Sequence, residues 1–305
     1  MSQLLRVGVV GVGHLGSRHA QIYAAMPGVR LSAVCDVEAA RAKATARTLR
    51  CLALTDYRKL AGVVDAVSVA VPTTLHAVIG QALLSRGIHV LIEKPIADTL
   101  SGADRLIRTA ARRHVVLQVG HVERFNAAIR TAIARLRRPR FIEVHRLSPY
   151  PFRGTDVSVV LDVMIHDLDL LLALVRSSVR RVEAVGVCAL SRSEDIANAR
   201  VEFSSGCIAN LTASRISDEP IRRLRVFEED SYLSIDAMAQ TVELAHKTGR
   251  TIRRVHLPVN RRAPLQDELA AFVHAVRTRR TPVVTGADGR AALALALRIE
   301  HAMRK

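Results

Sequence analysis

A chain of 305 residues, 49% apolar and 24% charged, is too long for one typical core and long enough to bury two. No run approaches the roughly 20 uninterrupted apolar residues of a membrane-spanning helix, and residues 4–12 lack the basic leader and small-residue cleavage site of a signal peptide. The formal net charge of +17 raises the question of nucleic acid, but the arginines are scattered in pairs with one denser run from Arg135 to Arg140, there is no basic tail, and aromatic residues amount to 3%, too few for stacking platforms, so neither nucleic acid nor membrane is an expected partner.

From the N-terminus, residues 5–10 predict a strand and 14–25 a helix, then 31–35 a strand and 38–49 a helix. Residues 66–71 and 88–92 are continuous apolar strands flanking a helical stretch over 75–85. A helix over 98–113 and a strand over 115–119 follow. Strands apolar on both faces, alternating with helices, predict a parallel sheet covered on both sides. The pattern changes near Gly120. Residues 125–136 predict a helix, 141–147 a strand and 159–175 a strongly apolar helix. Consecutive strands begin at residue 182: 197–203 and 207–213 flank the hairpin signal Ser204-Ser205-Gly206, 224–227 and 232–235 flank residues 228–231, and 241–245 and 251–256 flank Lys247-Thr248-Gly249. Consecutive hairpins predict an antiparallel sheet. Two helices, 265–277 and 290–303, follow, and no internal repeat or low-complexity linker is present.

The expected fold is therefore α/β. Residues 1–120 form a domain with a parallel sheet, and residues 121–305 a second α/β domain with an open, mainly antiparallel sheet, its C-terminal helices able to pack back on the first. Residues 197–203 and 207–213 carry enough apolar side chains to need cover on both faces, while a helical layer is available for one. That predicts a homo-oligomer, dimer or tetramer, built through this sheet.

Gly11-Val12-Gly13-His14-Leu15-Gly16 follows a strand and opens a helix, the context in which a GxGxxG run binds a dinucleotide in a Rossmann domain. Gly11 would make the tight turn and Gly13 would let the backbone approach the pyrophosphate. Gly16 would bring helix and strand together, with the phosphates at the helix N-terminus formed by His14 and Leu15. Asp36, at the end of the second strand, would accept hydrogen bonds from the adenosine ribose and repel a 2′-phosphate. That favours NAD over NADP, with Arg41 leaving some NADP use open. The plain alternative is a glycine-rich turn with a solvated acid.

Ile92-Glu93-Lys94-Pro95 stands at the C-terminal end of a strand, where open α/β sheets place ligands. The lysines are Lys43, Lys59, Lys94, Lys247 and Lys305, so forty of the 45 basic residues are arginine. In such a chain a lysine here reads as chemically required, because an ammonium can be desolvated and tuned while a guanidinium stays protonated. The alternative is a surface lysine before a helix-starting proline. Asp162 and His166 are four residues apart, on one face of a helix otherwise rich in leucine (Leu170, Leu171, Leu172, Leu174). A carboxylate beside an imidazole makes a tunable proton acceptor. The alternative is a helix-start acid favoured by the macrodipole next to a satisfied histidine. The cysteines, Cys35, Cys51, Cys188 and Cys207, show no CxxC pairing. No metal site and no disulfide framework are expected, and reduced thiols of a cytoplasmic enzyme are the reading.

The glycine run, Val71-Pro72-Thr73 with His76, Glu93-Lys94-Pro95, Arg124-Phe125 and Asp162-Val163-Met164-Ile165-His166 together resemble the Gfo/Idh/MocA oxidoreductases over essentially the whole chain. The resemblance implies a Rossmann domain that binds NAD, plus an open antiparallel sheet often used for oligomerisation. By motif it implies Lys94 as the catalytic lysine and Asp162 and His166 as the catalytic pair, with Pro72, Thr73, His76 and Glu93 on the cofactor side. Many members have a glycine-rich stretch before the aspartate, where this chain has Val157-Ser158-Val159-Val160-Leu161. Residues 118–126 and 164–169 resemble a narrower branch, the UDP-N-acetylglucosamine 3-dehydrogenases, which act before a transaminase to make diamino sugars for lipid A. That branch implies NAD-dependent oxidation of a nucleotide-sugar 3-hydroxyl, with Lys94, His166, Arg124, Arg146 and Arg153 as candidates to hold the substrate. Two further readings are a dehydrogenase or reductase of another polyol, free sugar or imine, and a non-catalytic NAD-binding regulator. The intact set Lys94, Asp162 and His166 argues against the regulator.

Overall fold

The computed structural model describes residues 4–150 and 157–304. Its strands are β1 (Leu5–Val10), β2 (Val29–Cys35), β3 (Leu52–Leu54), β4 (Ala66–Val69), β5 (His89–Glu93), β6 (Leu117–Gly120), β7 (Phe141–Leu147), β8 (Val179–Val187), β9 (Ile196–Phe203), β10 (Ile208–Ser214), β11 (Ile221–Phe227), β12 (Ser231–Asp236), β13 (Thr241–Thr248) and β14 (Thr251–Leu257). Its α-helices are α1 (His14–Ala25), α2 (Ala39–Leu49), α3 (Thr73–Ser85), α4 (Leu100–Arg113), α5 (Ala127–Ile133), α6 (Ile165–Val175), α7 (Pro264–Thr278) and α8 (Gly286–Met303). The chain divides into two units. One runs to His121 and takes in Leu265–Arg290; the other comprises Val122–Pro264 and the residues from Ala291 on.

In the first unit six parallel strands lie in the order β3-β2-β1-β4-β5-β6. Consecutive residues Val9 and Val10, Val67 and Ala66, and Val90, Leu91 and Ile92 are all buried, so both faces of this sheet demand helical cover. Helix α7 supplies part of it: Leu269, Phe272, Val273, Ala275 and Val276 join Val7, Tyr23, Val29 and Leu31 in one buried cluster. The short β3 and the 3₁₀ turn Tyr57–Leu60 carry too few residues for a periodic signal and are absent from the sequence expectation. Strand order reverses between β1 and β4. The turns that follow these strands therefore open at the switch point where such sheets take dinucleotides.

The second unit holds eight strands in the order β14-β13-β12-β11-β7-β10-β9-β8. All pairs are antiparallel except β7 with β10, which run parallel. One face packs on α5, α6 and the later part of α8 through Ile129, Leu168, Leu171, Ala199, Val201, Leu211, Leu295 and Ile299. The expectation that β9 and β10 are apolar on both faces is overturned. Ala197, Ala199, Val201 and Phe203 are buried, while Asn198 Nδ2 donates to Thr212 Oγ1 at 3.0 Å and Arg200 to Asn210 at 3.2 Å on the opposite side. The strands alternate with period two, and only one side is core. The apolar segment expected as a single α-helix also divides: Val160–Met164 forms a π turn, with Ile165 N bonded to Val160 O, before α6 continues.

Candidate active site

The glycine run closes the β1–α1 turn for three different physical reasons. Gly11 has φ +82°, and a Cβ there would lie 2.4 Å from Ala70 O. A Cβ on Gly16 would lie 1.8 Å from Gly11 O, so only glycine lets α1 approach the turn. A Cβ on Gly13 would meet nothing within 4 Å; the space over the loop is open. Helix α1 begins at His14 with no side-chain cap and no acid in its first turn, leaving its outward amides to an anion. His14 and Leu15 are exposed on that turn. Asp36, at the end of β2, is buried; it accepts from Val12 N and Glu38 N, both at 2.9 Å. The Arg41 guanidinium lies 3.3 Å from Asp36 and 2.6 Å from Glu38. Val37, the next residue, is 87% exposed. Open space over Gly13, an uncapped helix, a fixed carboxylate and bare apolar surface beside it fit the pyrophosphate, ribose and adenine of a dinucleotide.

Lys94 follows β5, half-buried, with a cis peptide bond to Pro95. Glu93 is buried beneath it. Burial alone would raise the Glu93 pKa, but the His19 imidazole 3.3 Å away and the charge of Lys94 outweigh it and hold the carboxyl below its usual range. Lys94 N donates to Glu93 Oε2 at 3.3 Å. A Cβ on Gly120 would lie 2.8 Å from this carboxylate, so glycine on the neighbouring strand leaves the Glu93 side chain room to sit where it does. Sequence reasoning missed His19; its only signal is position, one turn after the glycine run on a buried face.

Thr73 opens α3 behind Pro72, which occupies the N-cap position. His76 is buried, with Nδ1 2.7 Å from Pro95 O and Nε2 2.9 Å from Val71 O. Burial pushes its pKa down, against the pull of those two carbonyls. A neutral ring carries one N–H, so it donates to one of these two carbonyls at a time. His76 therefore links the loop after Lys94 to the end of β4.

Asp162 lies in the π turn and His166 in the first turn of α6, both half-buried. Beside them lies a charge network that sequence reasoning assigned differently. Buried Arg146 binds Asp167 through Nε at 2.7 Å and Nη2 at 2.8 Å, and Glu123 through Nη1 at 3.0 Å. Burial opposes its charge, but these two carboxylates raise the guanidinium pKa further. Arg124 binds Asp169 through Nε at 2.6 Å and Nη2 at 2.9 Å. Each guanidinium fork bonds a buried carboxylate, so a diphosphate contact of Arg146 or Arg124 would have to be made alongside this internal pairing. Glu123 was not singled out from the sequence, though it sits in the Glu123-Arg124 pair directly after β6. Arg153 lies outside the described residues.

Residues 5–121 match the oxidoreductase family GFO/IDH/MocA, NAD-binding Rossmann fold, and residues 127–233 match the GFO/IDH/MocA C-terminal domain. The chain is 39% identical to a UDP-N-acetylglucosamine 3-dehydrogenase of Acidithiobacillus ferrooxidans, over 98% of this chain and 97% of that one. A solved structure of that enzyme superposes with a TM-score of 0.93, covering 99% of this chain and 98% of the other. A myo-inositol 2-dehydrogenase of Thermotoga maritima is 27% identical over 95% of this chain and 94% of its own. The chain belongs to the Gfo/Idh/MocA oxidoreductase family, and its first unit is that family's NAD-binding Rossmann domain.

Proposed function

We propose that this protein oxidises the 3-hydroxyl of UDP-N-acetylglucosamine to a ketone with NAD. The observation that carries this reading is 39% identity to a UDP-N-acetylglucosamine 3-dehydrogenase along nearly the full length of both chains, in a sequence that retains Lys94, Asp162 and His166. Bound NAD supplies the hydride acceptor. His166 takes the hydroxyl proton as the C–H bond breaks. Lys94 donates a hydrogen bond to the same oxygen and steadies its developing negative charge. Asp162, four residues before His166, orients the imidazole and favours its charged form. Glu93, held ionised against His19, fixes the backbone amide of Lys94.

The ketone is the electrophile an aminotransferase requires, which sets the reaction ahead of diamino-sugar formation for lipid A. The four cysteines are free thiols, in keeping with a reducing cytoplasm. Assembly into a dimer or tetramer is proposed on the outer face of the second unit's sheet. There Phe141 and Phe227 lie 5.8 Å apart between ring centroids, and Phe227 and Tyr232 lie 5.3 Å apart. Sedimentation showing only monomer at micromolar concentration would remove that proposal.

The test of function is incubation with NAD and UDP-N-acetylglucosamine, following the absorbance of reduced nicotinamide and trapping the ketone with hydroxylamine for mass spectrometry. Turnover with this substrate and none with UDP-glucose is the expected result. Turnover with myo-inositol alone would transfer the activity to polyols, and tight NAD binding without any turnover would make the protein a regulator.

A further inference from the structure

Between β8 and β9 the chain folds around a buried carboxylate. Asp195 Oδ2 accepts from the backbone amides of Ala189, Leu190 and Ser191 at 3.0, 2.6 and 2.9 Å, and Oδ1 accepts from Ser191 Oγ at 2.5 Å. Its counter-charge is Arg215, one residue past β10 and 1% exposed. Arg215 Nε donates to Asp195 Oδ1 at 2.9 Å, Nη2 donates to Ser191 Oγ at 2.9 Å and to Ser193 Oγ at 2.7 Å, and Nη1 donates to Val157 O at 2.7 Å. That last bond leaves the loop and reaches the segment before the π turn.

The same segment is tied at every residue. Val157 O also accepts from Ser193 Oγ at 3.0 Å. Val159 N donates to Glu194 O at 3.0 Å, and Ser158 Oγ donates to Glu300 of α8. Asp162 N then bonds Ser158 O at 3.1 Å. A π turn holds one residue more than an α turn, a rare local departure from α geometry. Burying a guanidinium and a carboxylate is a poor route to stability, since apolar side chains of similar volume do as well or better; it does fix geometry. Here the geometry fixed is the entry to the turn that carries Asp162, four residues before His166.

We infer that Arg215 and Asp195, with Ser191 and Ser193, form an internal clamp whose task is to position the Asp162–His166 turn, Arg215 and Ser193 acting as positioning residues for the proton transfer. This rests on the reading of His166 as the base. Sub-ångström placement is worth large factors in rate, so loosening the clamp acts on kcat and leaves cofactor affinity alone.

Three variants test it. Arg215→Lys keeps the charge opposite Asp195 but cannot span Val157 O and both serines, because an ammonium lacks the fork. Ser193→Ala removes one bond to Val157 O with no change of charge. Val201→Ala truncates a core side chain of β9 in the same unit without touching the loop. Arg215→Lys is expected to lower kcat by roughly 10- to 100-fold while KM for NAD stays within about 2-fold. Ser193→Ala does the same to a smaller degree. Hydrogen exchange at the amides of Val159 and Asp162 quickens in both, and Val201→Ala lowers the melting temperature with kcat kept. Wild-type kcat and unchanged exchange in Arg215→Lys overturn the inference, as does an equal loss of kcat in Val201→Ala, which would make the cluster a matter of stability alone. If Arg215→Lys fails to fold, Ser193→Ala decides by the same two readouts. If the unmutated protein oxidises no sugar, the proposed function fails, and the exchange measurement still decides whether the clamp holds the turn.

Discussion

Alanine at Gly13 and alanine at Gly16 should separate cofactor binding from folding, although the two positions lie three residues apart. Gly13 has φ −68° and ψ −155°, open to alanine, and its Cβ would project into empty space. Stability should hold or rise by up to ~1 kcal/mol, because alanine restricts the unfolded chain. The same methyl group would stand where the pyrophosphate must approach the backbone, and a loss of about 1.4–2.8 kcal/mol in NAD binding corresponds to ~10- to 100-fold. At Gly16 the Cβ would sit 1.8 Å from Gly11 O. An ordinary carbon–oxygen contact is about 3.3 Å or more, so helix and turn must part by ~1.5 Å. That exceeds common overpacking, which costs 1–3 kcal/mol, and sets a lower bound of about 3 kcal/mol. A melting temperature lower by roughly 6–12 °C follows for a unit of this size. Thermal melts with and without NAD, together with calorimetric titration, read both effects. Wild-type NAD affinity in Gly13→Ala would refute the placement of the pyrophosphate. A wild-type melt in Gly16→Ala would refute the close approach of α1.

Asp36→Ala should narrow the preference for NAD over NADP in binding titrations, and should cost about 1–3 kcal/mol because the buried amide of Val12 and the partly buried amide of Glu38 lose their acceptor; equal affinity for both cofactors in the unmutated protein counts against the ribose role. Arg146→Met should destabilise by about 3–5 kcal/mol in denaturant melts, since Asp167 and Glu123 would lose their buried cation. An unchanged midpoint with a raised KM for UDP-N-acetylglucosamine would return Arg146 to the substrate. Burial alone would raise the Asp195 pKa, but Ser191, the loop amides and Arg215 hold it well below the usual carboxylate range. A depressed folded pKa means this stabilisation is complete above ~3.9 and is lost as pH falls through the folded value; urea midpoints should drop on acidification below about pH 4, and less steeply in Asp195→Asn. Parallel profiles would show that Asp195 titrates alike in both states. His166→Asn should lower kcat by ~10²–10⁴, and Lys94→Met should abolish turnover with NAD affinity kept; near-normal turnover in either removes that residue from the chemistry.

The parts of this fold that follow from local pattern are legible in the sequence. The bounds of β1, α1 and β7 coincide with the expected ones, because the apolar pattern that marks each lies inside its own segment. Features set by distant partners are not legible. The parallel pairing of β7 with β10 joins strands separated by β8 and β9. Helix α7 belongs to the first unit although it follows every strand of the second. The segment leading into the π turn is bonded to Ser193, Glu194 and Arg215, all distant in sequence. The site divides in the same way. Gly16 answers to Gly11 five residues before it, whereas the tight turn at Gly11 depends on Ala70, the bracing role of His76 on Pro95 and the pairing of Arg146 on Asp167 and Glu123. In a chain with forty arginines, residue type gives no hint of which ones are buried.

Sorting the charges around α6 shows what the pairing achieves. Asp162, His166, Asp167 and Asp169 fall within one short stretch, and spacing alone does not choose among them. Asp169, three residues after His166, is as well placed on a helix face to partner the imidazole as Asp162, four residues before it. The structure separates the candidates by counter-charge. Asp167 and Asp169 are 5% and 1% exposed, and each is held through both oxygens by a guanidinium, from Arg146 and Arg124 respectively. Two carboxylates left bare at that depth would have to shed their charge or draw the nearest cation, and the imidazole next to them would be the one at hand. Arginine prevents this in a way lysine would not: its planar fork satisfies both oxygens at once, and it stays protonated across the working pH range. With Asp167 and Asp169 held by these guanidinium forks, the proton transfer is assigned to Asp162 and His166, the pair that the family motif singles out.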